Sequence, residues 1–89
     1  MNTSEMLEKL KDYFEYEYRS EVLILTRDKL PWWLDDPNES KHCTLQRGIG
    51  ACQFIQCLGV PFEEVDKAYE AFKKAVEDII PTKEREVRR

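Results

Sequence analysis

The stretch Leu58-Gly59-Val60-Pro61 restricts this chain more than any other. A glycine just past a helix end supplies the left-handed backbone that closes the last turn, and a proline can open the next helix, where its missing N–H is no loss. Apolar residues recur at helical spacing on both sides. Leu45, Ile49, Cys52, Ile55 and Leu58 precede the break, and Phe62, Val65, Tyr69, Phe72, Val76 and Ile79 follow it. That pattern predicts two helices joined by a tight corner.

Upstream, Asn2 offers a cap with Glu5 three residues on, and Leu7, Leu10, Phe14, Tyr18, Val22 and Leu25 keep a 3.6-residue period. A first helix over residues 3 to about 27 is predicted. The alternation Phe14 to Arg19 and the run Val22 to Thr26 would also suit strands, but a hairpin turn at Arg19-Ser20-Glu21 has no Gly, Pro or Asn. Pro31 forces Leu30 out of helical geometry, and Asp36-Pro37-Asn38-Glu39 reads as a cap followed by a helix start. The expected fold class is therefore all-α, a compact three-helix domain over residues 1–80. Pro81 stops the third helix, and 81–89, with Lys83, Arg85, Arg88 and Arg89, is expected to be a basic flexible tail.

Composition bounds the function. The chain has 89 residues, 42% hydrophobic and 36% charged, enough for one core. No apolar run approaches the roughly 20 residues of a membrane span, and the N-terminus lacks the pattern of a signal peptide, so a cytoplasmic protein is expected. Cys43, Cys52 and Cys57 form no C-x-x-C knuckle and have only His42 to join them. They read as reduced thiols, with neither metal nor cofactor expected. With a single histidine and no nucleophile placed beside a base, an enzyme is not expected.

The helix–turn–helix order raises the possibility of a DNA reader, yet the helix after Pro61 begins Phe62-Glu63-Glu64-Val65-Asp66. Acidic side chains at that place repel a phosphate backbone, and the net charge is -4. Nucleic acid is thus an unfavoured partner. Two other sets of residues are candidates. Trp32 and Trp33, on a short loop, either cover the open end of the core or present an indole to a partner, and Glu63, Glu64, Asp66 and Glu70 form an acidic display on the third helix. Gly48 and Gly50 interrupt the second helix, each costing about 1 kcal/mol of helix propensity. Close packing of the first helix would explain them, as would a self-association face or a ligand cleft. Tyr16, Arg19 and Arg47, with Tyr13, Tyr18 and Arg27, could line such a cleft for an anion or nucleotide, or could form surface ion pairs.

At Thr26-Arg27-Asp28-Lys29-Leu30-Pro31-Trp32-Trp33, Gln46-Arg47-Gly48-Ile49-Gly50-Ala51-Cys52-Gln53-Phe54-Ile55-Gln56 and Gly59-Val60-Pro61-Phe62-Glu63-Glu64-Val65, the chain resembles small uncharacterised proteins of Gram-positive bacteria and their phages or prophages. The resemblance extends to about Phe72 and implies no activity or site residue. It suggests an accessory role, such as phage takeover of a host factor. The leading expectation is an acidic helical module that binds or inhibits another protein, one with basic or nucleic-acid-binding character suiting its charge. The alternative is an oligomeric module that sequesters a small molecule or nucleotide.

Overall fold

In the computed structural model, which describes residues 2–27 and 36–82, three helices carry the fold: α1 (Thr3–Leu25), α2 (Pro37–Cys57) and α3 (Phe62–Glu77). Among the described residues there is no strand. The stretch 19–25, open to an extended reading in the sequence, is helix. Asn2 caps α1, its side chain accepting from the Glu5 N–H at 2.8 Å. Asp36 caps α2 through the Asn38 N–H at 2.9 Å, with Pro37 at the first helical position. Each cap satisfies a donor that the first turn would otherwise leave unpaired.

The corner after α2 is a glycine-closed helix end. Gly59 has φ 104°, its N–H reaches the Gln56 carbonyl at 3.0 Å, and the Val60 N–H reaches the Ile55 carbonyl at 3.4 Å. These are the two bonds of a Schellman motif. Val60 is then buried while Pro61 stands at the cap of α3, one position earlier than the sequence suggests. Glu63 and Glu64 in the first turn of α3 suit the positive end of its dipole.

All three helices pack on one another. The main core joins Leu10 and Phe14 of α1, Cys52 of α2, Val60 of the corner, and Val65, Phe72 and Val76 of α3. At its centre Phe14 and Phe72 stack with ring centroids 4.5 Å apart and planes 8° from parallel, and Tyr69 meets both at an angle. A smaller cluster, Leu25 with Ile79, closes the other end. There Lys41 of α2 donates to the carbonyls of Glu77 and Ile79 at 3.0 and 2.6 Å, pairing the unsatisfied end of α3 with a cation.

Two expectations need correction. Phe62 and Leu58, counted with the apolar stripes, are exposed at the corner. The innermost line of α2 is Thr44, Gly48 and Cys52 rather than the aliphatic residues beside it. Pro81, which follows the third helix, is fully buried, and residues 83–89 of the expected tail lie outside the described residues.

Candidate interaction surfaces

The sequence-derived candidates fall in different places. Trp32 and Trp33 lie outside the described residues. Glu63, Glu64, Asp66 and Glu70 are all exposed on α3, but Lys67, Lys73 and Lys74 share that helix, so the display is mixed rather than uniformly acidic. Tyr16 is exposed. Arg19 pairs with Glu15 one turn away at 2.7 Å, both side chains largely in water, where such a pair contributes little.

Arg47 has a different setting. Its guanidinium donates to Glu17 of α1 at 2.9 and 3.2 Å and to Thr44 Oγ1 at 3.1 Å. Ser40 Oγ lies 3.0 and 3.1 Å from the two oxygens of the buried Glu21 carboxylate. The α1–α2 seam is therefore lined with polar groups where the sequence pattern implies only apolar ones. The hydrogen bond to Glu17, more than any other effect, raises the Arg47 pKa above its ordinary value. Burial, reinforced by Glu17, pushes the Tyr13 hydroxyl up. Among the described residues no buried side-chain polar atom lacks a partner, so the buried part of the network is satisfied internally.

Gly48 and Gly50 separate completely. A Cβ at Gly48 would stand 2.9 Å from the Phe72 ring and 3.4 Å from Phe14, so that glycine is where α2 lies against the aromatic stack. Among the described residues a Cβ at Gly50 would meet nothing within 4 Å. Tyr16, Arg19, Arg47, Gly48 and Gly50 thus sit in separate surroundings instead of lining one cleft.

The thiols are free and likewise divided. Cys52 is buried, whereas Cys43 and Cys57 are exposed. Burial, with a smaller contribution from Asp66, pushes the Cys52 thiol up to about 11. Among the described residues no group of His, Cys, Asp and Glu could hold a metal ion, and no helix is long and apolar enough to cross a membrane.

A depression of about 470 Å³ forms a groove between α1 and α3. Phe14, Tyr18 and Phe72 form its floor with Ala68, Ala71 and Ala75, and Lys11, Glu15, Glu64 and Lys67 stand along its rims. The sequence holds a signal for it that the search for large apolar residues passes over. Three alanines at spacings of three and four along α3 leave one helical flank shallow.

Comparison with protein-family models, with curated proteins and with solved structures finds no match to this chain.

Proposed function

We propose that this chain is a small protein-interaction module that takes an amphipathic helix of another protein into the groove between α1 and α3. This is in keeping with the accessory, host-factor-binding role that its resemblance suggests. The observation that carries the reading is the groove itself: an apolar floor with three alanines, walled by charges of both signs. Small side chains let a visiting helix approach closely, and a fourth helix laid there would complete a bundle. Lys11 and Glu15 on one rim, and Glu64 and Lys67 on the other, favour a helix whose apolar stripe is flanked by charges of both signs. Glu63, Asp66 and Glu70 lie on the same helix as one rim and would speed encounter with a basic partner.

The test is affinity capture from a Gram-positive bacterial lysate, comparing the wild-type chain with Ala71→Glu. Ala71 is exposed in the groove, so the charge blocks docking without entering the core. A captured protein whose affinity falls at least about tenfold with Ala71→Glu, while circular dichroism shows an intact fold, supports the assignment. Equal retention by both chains refutes it.

A further inference from the structure

We propose that the recess between α2 and the first half of α3 binds a guanidinium group, with Asp66 as its counter-ion and the Phe62 ring as the surface on which the planar cation stacks. The recess shares no lining residue with the α1–α3 groove and does not depend on the reading given to that groove.

The recess encloses about 220 Å³. The buried Cys52 belongs to its lining, Gln53 and Gln56 border it on α2, and Phe62, Asp66 and Tyr69 border it on α3. Along α3 the carboxylate stands between the two rings, one turn from each. Phe62 is 65% accessible, and no described aromatic ring stacks on it. The field of Asp66 reaches the Cys52 thiol, so its charge acts within the recess as well as at the surface.

Asp66 is left without a counter-ion by its own helix. The positions one turn away, Phe62, Glu63, Tyr69 and Glu70, supply no cation, whereas Asp78 at the far end of α3 has Lys74 at 3.5 Å. Among the described residues Asp66 has no ion-pair or hydrogen-bond partner, and no basic side chain lines the recess. Its walls therefore carry a single, uncompensated negative charge.

That charge selects the guest. An anion is repelled, and a neutral apolar guest would cover the carboxylate without compensating it, at a cost in desolvation. A metal ion needs several oxygen or anionic ligands, and among the described residues no group of His, Cys, Asp and Glu could hold one. An organic cation answers Asp66 with its charge and covers Phe62 with its body. A guanidinium does both at once, because its planar fork donates two parallel bonds to a carboxylate while its flat face stacks on an aromatic ring. Its remaining N–H groups suit the amide oxygens of Gln53 and Gln56 on the facing helix. The volume sets the size: it lies below the roughly 300 Å³ at which pockets for drug-sized molecules begin, and so suits one such head group on a short chain.

Titration of the full chain with n-butylguanidinium at constant ionic strength, followed through its amide resonances by NMR, tests this. Saturable shifts centred on Gln53, Gln56, Phe62, Asp66 and Tyr69 are expected, with a Kd of about 0.1 to 1 mM for a ligand of this size. Asp66→Asn should weaken binding at least about tenfold and Phe62→Ala at least about twofold. Both side chains are exposed, so neither change enters the core. Glu63→Gln, which removes a neighbouring charge outside the recess, should leave binding unchanged, and the uncharged isostere n-butylurea should not bind. A free guanidine and an arginine side chain carry the same head group, and a blocked Gly-Arg-Gly peptide separates them. Peptide binding at least about tenfold tighter than that of n-butylguanidinium supports the site as one for a protein's arginine, and anything weaker supports it as one for a free molecule. The proposal is overturned by the absence of saturable shifts up to about 20 mM, by equal binding of n-butylurea, or by a loss with Glu63→Gln as large as that with Asp66→Asn.

Discussion

The Cβ that Gly48 lacks would stand 2.9 Å from Phe72, while among the described residues the one that Gly50 lacks would meet nothing within 4 Å, although a single residue of one helix separates them. The difference teaches that α2 is two-sided. Its inner side is fully used by the fold: Gly48 under the Phe14–Phe72 stack, Thr44 and Cys52 buried, Lys41 on the carbonyls of α3. Its outer side is nearly uncharged and contributes nothing that the monomer's packing requires. On α1 and α3 the solvent sides outside the groove between them are instead densely charged.

Substitutions along α2 probe this division. Arg47 stands at the border of the two sides, and its side chain is 54% exposed while that of its partner Glu17 is 11% exposed. Arg47→Ala strands a buried carboxylate, so a loss of about 2 kcal/mol is expected in urea unfolding. Gln46→Ala, one residue away on the outer side, should change stability by less than about 0.5 kcal/mol. Equal effects at 46 and 47 would erase the border.

The thiols sharpen the same contrast. In dilute solution at mildly alkaline pH, a thiol reagent should modify Cys43 and Cys57 quickly and reach Cys52 only on unfolding. The folded Cys52 thiol titrates near 11 against an ordinary 9.0. Its raised value means that its contribution is fully present below pH 9 and is lost as pH rises through the window from 9 to about 11. Tyr13 and Tyr69, also raised by burial, act in the same direction. The melting temperature should therefore fall across that window, and less steeply in Cys52→Ala. An unchanged slope would mean that Cys52 has no part in the alkaline loss.

Much of this fold can be read from the sequence, because its signals are local. Asn2, Asp36, Pro37, Gly59 and Pro61 each impose a backbone state or satisfy a terminal donor without reference to the rest of the chain. The polar seam could not be read so directly. The inner line of α1 runs Leu10, Phe14, Glu17, Glu21, Leu25, and an apolar template follows Tyr18 and Val22 instead, since burial of a carboxylate depends on a partner from another helix. Ser40, Thr44 and Arg47 lie 19 or more residues away from these glutamates. The two glycines show the same limit. Their cost in helix propensity is legible, but which of them has a neighbour is settled only by the packing of α1 and α3.

Thermal unfolding of Gly48→Ala and Gly50→Ala, measured side by side, tests the two-sidedness of α2 most directly. The same methyl group should lower the melting temperature at Gly48, where overpacking against Phe72 outweighs the gain in helix propensity. At Gly50 it should raise the melting temperature by about 4 to 8 °C, the equivalent of about 1 kcal/mol in a domain of this size. Shifts of the same sign at both positions would contradict the account.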